Sequence, residues 1–443
     1  MIFHFTWGGT DPICAPAAPW DFHRKAVESE TAPRRSLELH NHHNALRVAT
    51  ELQPAAPVTL VRPDAALDAA RFFASEFPGK SFYAVKANPS PHLIETLWEG
   101  GIRHFDVASI AEVRLVREVL PDAVLAFMHP VKAEEAIAEA YHVHGVRIFS
   151  LDTHEELAKI VRACATEGVS AADLTLCVRL KVSSGYSKLS LASKFGIGVA
   201  DAPALLLAAR QVADSLGICF HVGSQAMSPA AYADAMAFVR AAIVEAGVTV
   251  DVIDVGGGFP SRYPGMEPPS LETYFAVIER AYESLPVSYS AELWCEPGRA
   301  LSADYASVLV RVEKRRGEEL YINDGAYGSL FDAAHVEWRY PVRLVRADAS
   351  EAELMDFSFY GPTCDDMDHM KGPFALPADV KAGDYIEIGQ LGAYGQAMRT
   401  GFNGFGAGDT VIVTDPPMAS LIPQGGIATV PANVVPLGVV ARV

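Results

Sequence analysis

Reactive side chains stand at or just after the ends of short apolar runs in this sequence, where buried strands would end. In chain order they are Lys86, Asp106, His129, Asp152, Arg179, His221, Ser224, Gly256, Gly257, Gly258 and Glu296. Random placement would scatter such groups over outer helices and strand starts. Because the carboxyl ends of the strands of a barrel meet at one end, where barrel enzymes have their active sites, the pattern favours an enzyme.

Lys86 lies in the segment FYAVKAN, at residues 82–88. A lysine after an apolar strand is partly desolvated, so we expect its pKa to be lowered and its amine to be neutral. A neutral amine can attack an aldehyde and hold it covalently. The alternative without chemistry is a lysine at a barrel rim whose ammonium reaches water.

Two later segments could bind an anion and a heteroaromatic nitrogen. The glycines 256–258 would let backbone N–H groups approach a phosphate closely, although the nucleotide motifs GxGxxG and GxxxxGK[ST] are missing there. Glu296 could hold a proton on a ring nitrogen, and Arg299 could pair with a phosphate. A tight turn and a surface ion pair are the corresponding alternatives.

Disulfide and metal chemistry are not favoured. The six cysteines are scattered without a CxxC pair, which argues against a disulfide scaffold or a zinc ribbon. The cluster of His40, His42 and His43 lacks the spacing of a metal site, so we interpret it as a solvated loop and predict no metal. Cys364 lies in the turn GPTCD, where a buried thiol is the alternative to a reactive one.

The elements that must position these residues follow a regular pattern between about residues 57 and 296. Eight apolar runs alternate with helical patterns there, at residues 81–86, 102–107, 123–128, 146–151, 174–180, 217–222, 250–255 and 291–295. Such runs with helices between them are typical of buried parallel strands. Eight strand–helix units predict an α/β fold, a (β/α)8 barrel of the TIM type, with a doubly wound open sheet as the alternative.

The pattern changes after about residue 300. Ala306, Val308, Val310 and Val312 lie two residues apart, the period of a strand, and no long helical pattern follows. We predict an all-β C-terminal domain of the β-sandwich or Greek-key type, joined by a strand from before the barrel. The predicted domains are an N-terminal extension of unclear role at 1–50, the barrel at 51–300 and the β domain at 301–443.

Composition excludes several classes of protein. Half of the 443 residues are hydrophobic, which suffices for a large core. A net charge of −18 disfavours nucleic-acid binding. The sequence has no run of eighteen apolar residues, so no membrane span is predicted. The first residues lack the charge pattern of a signal peptide. We therefore expect a cytoplasmic protein without nucleic-acid or membrane partners.

Nine segments, taken together and in order, resemble the ornithine decarboxylase family, the barrel-type (fold III) pyridoxal-phosphate decarboxylases of basic amino acids. They are FYAVKAN (82–88), FDVAS (105–109), RLKVSS…SKFG (179–196), HVGSQ (221–225), DVGGGFP (254–260), CEPGRAL (295–301), NDGAYGS (323–329), GPTCDDMD (361–368) and GAYGQAMRTGFNGF (392–405). They span most of the chain, which makes the resemblance specific.

The resemblance implies pyridoxal 5'-phosphate as the cofactor and gives each matching residue a role. Lys86 matches the lysine that binds the cofactor covalently, His221 the imidazole that stacks on its ring, and Glu296 the partner of its pyridine nitrogen. The residues implied to bind the phosphate are Ser224, Gly256, Gly257, Gly258, Gly298, Arg299 and Tyr394. Asp106, Arg179 and Lys194 match supporting residues of the site or the interface.

The resemblance also implies a head-to-tail homodimer with two shared active sites. Cys364 and Asp365 match the pair that reaches into the neighbouring subunit's site, where the cysteine directs reprotonation at Cα. Asp332, Asp365 and Tyr394 are the implied substrate-binding residues, since the carboxylates could bind a distal ammonium. Only Leu330 and Phe331 separate NDGAYGS from Asp332, a shorter stretch than in the eukaryotic ornithine enzymes.

The expected reaction is decarboxylation of L-ornithine to putrescine and CO2, with L-lysine to cadaverine as a related activity. The two substrates differ by one methylene, worth only about 1–3 kcal/mol of discrimination. A decarboxylase of diaminopimelate or another diamino acid is one alternative, although in the diaminopimelate enzymes a glutamate usually follows the cysteine. A catalytically inactive homologue that acts as a binding protein is another. The presence of Lys86, His221, Glu296 and Cys364 argues against it.

Overall fold

The computed structural model describes residues 41–423 apart from residues 168, 183, 184, 192 and 407. Its strands are β1 (Asn41–His42), β2 (Val58–Val61), β3 (Lys80–Ala84), β4 (His104–Val107), β5 (Val124–Phe127), β6 (Ile148–Leu151), β7 (Thr175–Arg179), β8 (Ser187–Leu189), β9 (Ser215–Cys219), β10 (Ser224–Ala226), β11 (Val252–Asp254), β12 (Glu292–Cys295), β13 (Ala306–Arg316), β14 (Glu319–Ile322), β15 (Val342–Val345), β16 (Leu354–Tyr360), β17 (His369–Pro377), β18 (Tyr385–Ile388) and β19 (Asp409–Val413). Of the histidines predicted to lie in a solvated loop, His40 lies outside the described residues, whereas His42 lies in β1 with its side chain only 9% exposed, so the loop prediction is wrong for His42.

Helices connect the strands in both halves of the chain. They are α1 (Ala45–Leu52), α2 (Pro63–Glu76), α3 (Pro91–Glu99), α4 (Ile110–Val119), α5 (Glu134–His142), α6 (His154–Cys164), α7 (Ala202–Arg210), α8 (Ala230–Ala246), α9 (Leu271–Glu283), α10 (Arg299–Ser302) and α11 (Phe331–His335). Short 3-10 turns are formed by Val85–Ala87, Ala303–Tyr305 and Phe402–Gly404. Within the described residues, no helix is long and apolar enough to cross a membrane.

The predicted barrel is confirmed. The eight strands β3, β4, β5, β6, β7, β9, β11 and β12 close into a parallel barrel, and each corresponds to one of the eight apolar runs. Pairing of Trp294 with Lys80 and of Cys295 with Ser81 joins the last strand to the first, so the open-sheet alternative is wrong. Between the strands, Ser109 caps α4 by accepting a hydrogen bond from the backbone N–H of Glu112 at 3.2 Å.

Alternate side chains of the barrel strands face two different cores. A cluster of buried side chains from the barrel strands other than β4 packs together, namely Phe82, Ala126, Met128, Ile148, Cys177, Cys219, Val252 and Trp294. The intervening strand residues, such as Tyr83 and Phe105, belong to the larger core shared with the helices. The thiols of Cys177 and Cys219 are buried, whereas Cys364 is exposed, so the buried alternative for Cys364 is wrong.

The C-terminal half is confirmed as a β domain. Its strands form a mixed sheet in the order β1-β19-β2-β13-β14-β16-β17, and β18 pairs with both β13 and β15. Strand β2, which precedes the barrel in the chain, pairs antiparallel with β13 and parallel with β19. The prediction that a strand from before the barrel joins this domain is therefore confirmed. The described end of the predicted N-terminal extension contributes β1 and α1.

Candidate active site

The predicted site residues gather at the carboxyl end of the barrel. Lys86 lies in the 3-10 turn after β3, and Glu296 directly follows β12. His221 comes two residues after β9, so the strand ends earlier than the apolar run suggested. A Cβ atom added to Gly257 would lie 3.0 Å from Nε2 of His221 and 2.7 Å from the backbone oxygen of Glu296. These residues therefore surround one small volume.

Lys86 forms an ion pair rather than presenting a neutral amine. Its Nζ donates a hydrogen bond of 2.9 Å to Oδ2 of Asp106, which is 1% exposed. Desolvation lowers the pKa of Lys86, but the nearby carboxylates of Asp106 and Glu296 outweigh it, and the net pKa is raised. The expectation of a lowered pKa is wrong for the protein without cofactor. The cause is a carboxylate twenty residues away along the chain, which the local sequence does not reveal.

Three buried carboxyl groups lie together at the centre of the site, those of Asp106, Asp254 and Glu296. Burial raises the pKa of Asp254 to about 6 despite a 2.8 Å hydrogen bond from the backbone N–H of Gly256. Burial, and then the charges of Asp254 and Asp106, raise the pKa of Glu296 well above its usual value. Because Asp254 and Glu296 also hydrogen-bond each other, the pair retains a proton. The sequence interpretation missed Asp254, although its place just before three glycines is a signal.

His221 is a neutral imidazole in this environment. Burial lowers its pKa to about 3, assisted by the positive charges of Arg179 and Lys86. Its Nδ1 accepts a 3.0 Å hydrogen bond from the backbone N–H of Gly223, which leaves the proton on Nε2. A flat, uncharged ring with a fixed tautomer suits contact with an aromatic ligand.

Arg299 is held in an aromatic box with unused hydrogen-bonding capacity. Its guanidinium donates to the hydroxyl of Tyr263 at 2.9 Å, and its carbon lies 4.3 Å from the ring of Trp338 and 5.0 Å from that of Tyr394. Ser224 Oγ lies 3.5 Å from Nη2. The Nε–H is buried without a hydrogen-bond partner among the described residues. An anion would satisfy it.

The glycine segment 256–258 has no room for a larger side chain. Gly256 and Gly258 have φ angles of +67° and +103°, which favour glycine. Cβ atoms at these positions would lie 2.0 Å from the oxygen of Phe220 and 2.5 Å from that of Gly223. Residues 256–258 and Arg299 therefore fit the predicted phosphate site.

The shorter loop after NDGAYGS still brings Asp332 to the site. Its Oδ2 lies 3.8 Å from Nη2 of Arg299, and burial raises its pKa, with Arg299 opposing the shift. Cys364 and Asp365 are arranged differently. The backbone N–H of Cys364 donates to Asn403 at 3.1 Å, and Asp365 accepts a short hydrogen bond from the hydroxyl of Tyr327. These contacts are all within the C-terminal half of the chain.

A loop that includes Phe195 and Gly196 lies against residues at the carboxyl ends of β5, β6 and β7. The ring of Phe195 lies 5.5 Å from the guanidinium of Arg179 and 5.1 Å from the ring of His129. The loop is held by a 2.8 Å hydrogen bond from the backbone N–H of Gly196 to Asp152. Phe195, Tyr263 and Trp338 were all missed from the sequence. Among the described residues, no group of three or more His, Cys, Asp or Glu side chains could hold a metal ion.

Two family models match consecutive parts of the chain. "Pyridoxal-dependent decarboxylase, pyridoxal binding domain" matches residues 66–303, and "Pyridoxal-dependent decarboxylase, C-terminal sheet domain" matches residues 304–392. The chain belongs to this decarboxylase family. The resemblance inferred from the nine segments is thus confirmed, as is pyridoxal phosphate as the cofactor.

Relatives of this decarboxylase indicate its class of substrate. A lysine/ornithine decarboxylase of Selenomonas ruminantium is 32% identical over 345 residues, which cover 76% of this chain and 84% of the relative. The arginine decarboxylase of Paramecium bursaria Chlorella virus, solved with agmatine, superposes with a TM-score of 0.73 at 26% identity, over 83% of this chain and 98% of that one. A lysine/ornithine decarboxylase of Vibrio vulnificus, solved with putrescine, superposes with a TM-score of 0.70 at 28% identity, over 84% of this chain and 99% of that one. The protein is a lyase that decarboxylates a basic amino acid.

The residues present fit this cofactor. Within the part of the chain that the structure describes, the Nε–H of Arg299 is buried without a hydrogen-bond partner, and the glycine segment 256–258 accepts no side chain. Oδ1 of Asp106 is likewise buried without a hydrogen-bond partner among the described residues. A phosphate beside Arg299 and polar ring substituents near Asp106 would satisfy these groups. The neutral imidazole of His221 and the proton-retaining pair of Asp254 and Glu296 suit an aromatic ring with a basic nitrogen.

Proposed function

We propose that this decarboxylase converts L-ornithine to putrescine and CO2, and L-lysine to cadaverine, in a homodimer with shared active sites. The choice of substrate rests on the position of Asp332. Its largely buried carboxyl group lies beside Arg299, on the side of the site formed by the C-terminal domain. A distal ammonium would give this carboxylate a charge-assisted partner. The lysine/ornithine decarboxylases among the relatives support the same choice.

The cofactor would be held at four places. Lys86 would bind its aldehyde, and His221 would lie against one face of its ring. Glu296, supported by Asp254, would face the ring nitrogen. Ser224, Gly256, Gly257, Gly258, Gly298, Arg299 and Tyr394 would surround its phosphate. Asp106 and Arg179 would support Lys86 and His221 through the charges described above.

The residues around the ring control charge and protons during the reaction. Pyridoxal phosphate supplies a cationic heteroaromatic ring that accepts the electron pair released when the α-carboxylate leaves as CO2. Glu296 would keep the ring nitrogen protonated, because a buried carboxylate stabilises an N–H cation. When Lys86 is not bonded to the cofactor, its raised pKa favours the protonated amine, and Asp106 would hold that ammonium through their 2.9 Å ion pair.

The substrate proposal is tested with a panel of amino acids scored by CO2 release. We expect ornithine to react, lysine to react with a kcat/KM within roughly 200-fold of it because one methylene separates them, and diaminopimelate not to react. Asp332→Asn should lower kcat/KM for ornithine about tenfold or more, because the distal ammonium loses its charged partner. Reaction of a substrate with a distal carboxylate alone would refute the proposal. Absence of cofactor absorbance in cofactor-saturated protein would favour the inactive homologue.

Subunit sharing makes a separate prediction. In random mixtures of Lys86→Ala and Cys364→Ala chains, about half of the dimers contain one of each, and each mixed dimer has one intact site. We expect activity to return to about a quarter of the wild-type level, whereas either variant alone remains inactive or strongly impaired. The exposure of Cys364 and its contacts within the C-terminal half support this arrangement. Mixed dimers without recovered activity would contradict the shared site.

A further inference from the structure

The backbone that carries Lys86 is a weak element by itself. It is a three-residue 3-10 turn, Val85–Ala87, and such turns have few and poorly aligned internal hydrogen bonds. The side chain of Lys86 is 44% exposed, and its only described hydrogen bond goes to Asp106. A lysine that must reach a fixed aldehyde needs a firmer support than this.

Asn88, the next residue after the turn, supplies that support. It is 2% exposed. Its backbone oxygen accepts from the hydroxyl of Tyr83 at 3.0 Å, and its side-chain oxygen accepts from the backbone N–H of Ser90 at 3.0 Å. Its side-chain Nδ2 donates 2.8 Å to the backbone oxygen of Gly392, in the loop 389–395 that follows β18. The amide therefore links the Lys86 turn to the C-terminal domain.

The loop 389–395 is itself firmly placed. The backbone N–H of Gly392 donates to Ala303 at 3.1 Å, and a Cβ atom at this glycine would lie 1.8 Å from the oxygen of Ser302. Two residues later, the backbone N–H of Tyr394 donates to the oxygen of Ala87 at 2.7 Å. Tyr394 adopts a φ of +64°, a strained value for a non-glycine residue that persists only where the surroundings determine it.

We propose that Asn88 is a positioning residue that fixes the Lys86 turn against the loop carrying Tyr394. Its amide sets the distance between the lysine that binds the aldehyde end of the cofactor and the tyrosine beside Arg299 at the phosphate end. The proposal rests on the assignment of Lys86 as the cofactor lysine. It follows from two hydrogen bonds, Asn88 to Gly392 and Tyr394 to Ala87, that join neighbouring residues of the two segments.

The test is Asn88→Asp in the full-length protein. The carboxylate can still accept from Ser90, but it loses the donor and turns an oxygen toward the oxygen of Gly392. Asn323→Asp is the matched control, because that amide also accepts from a backbone N–H, of Arg311 at 2.9 Å, and donates to a backbone oxygen, of Ala55 at 3.0 Å. Both variants should lower the urea midpoint of unfolding. Only Asn88→Asp should weaken cofactor affinity, by roughly tenfold or more.

A second readout follows the covalent bond itself. Borohydride reduction of the cofactor-loaded protein, followed by peptide mapping, measures the fraction of Lys86 that carries the cofactor. We expect this fraction to fall in Asn88→Asp and to stay at the wild-type level in Asn323→Asp. Asn88→Ala, which removes the amide without adding charge, replaces Asn88→Asp if that variant does not fold, and the same losses are expected.

Two results would overturn the proposal in distinguishable ways. If Asn88→Asp loses stability but keeps wild-type cofactor affinity and wild-type labelling of Lys86, Asn88 is merely structural, and the proposed function stands. If the wild-type protein carries the reduced cofactor on a lysine other than Lys86, the assignment of Lys86 fails, and the positioning role of Asn88 fails with it.

Discussion

Lys86→Ala is expected to lower kcat/KM by three orders of magnitude or more. The variant loses the amine that binds the cofactor covalently, and with it the ammonium that this amine forms when it is free. Effects of roughly this size follow removal of a group that forms a covalent bond in the reaction. The variant should still bind the cofactor through Arg299 and the glycine segment 256–258, but without the covalent bond. Steady-state CO2 release and the absorbance spectrum of the loaded protein, compared before and after dialysis, measure both effects.

Lys80→Ala is the matched control for Lys86→Ala. Lys80 lies at the other end of the same strand, β3, where its Nζ pairs with Glu292 at 2.6 Å. Both partners of this pair are 42% exposed, so its loss should cost little stability. Wild-type activity in Lys80→Ala together with lost activity in Lys86→Ala would show that the loss of activity comes from the lysine at the carboxyl end of the barrel. Near-wild-type activity of Lys86→Ala would refute the role of this lysine.

The barrel was predictable because its strands are buried on both faces. Each of the eight strands reads as a separate apolar run, and the runs were found without any knowledge of their pairing. The ends of the strands were predicted less accurately. The predicted runs extend to Lys86 and to Val222, but β3 ends at Ala84 and β9 at Cys219. Val85 after β3 and Phe220 and Val222 after β9 remain buried in turns and loops, which the apolar pattern does not distinguish from a strand.

The site was predictable where a residue type stands at a fixed place on a strand, and less so where loops converge. Tyr263 and Trp338 enclose Arg299 from loops that no periodic pattern marks. Asp254 lies within the apolar run 250–255, where the pattern alone does not mark it as a site residue. The pKa shift of Lys86 was predicted in the wrong direction. Asp106 and Glu296, which raise this pKa, are close to Lys86 in the folded barrel but not in the sequence.

Asp254 also changes what Glu296 can do. A lone buried carboxyl group with a raised pKa would be neutral and a poor partner for a cation. The hydrogen bond with Asp254 allows the two groups to share one proton and one negative charge. With pyridoxal phosphate bound, Glu296 and Asp254 would together supply up to two buried negative charges to stabilise a protonated ring nitrogen. This arrangement favours the protonated ring more strongly than one carboxylate would.

Glu296→Gln is therefore expected to lower kcat by about 100-fold or more, because the amide can hydrogen-bond the ring nitrogen but cannot neutralise its positive charge. The KM for the substrate should change much less, since the substrate is bound elsewhere. Glu296→Asp keeps the charge and should retain more activity than Glu296→Gln. Glu292→Gln, at the opposite end of the same strand β12, is the matched control and should keep wild-type kcat. Equal loss in Glu296→Asp and Glu296→Gln would indicate that length rather than charge matters, and a wild-type kcat in Glu296→Gln would refute the electrostatic role.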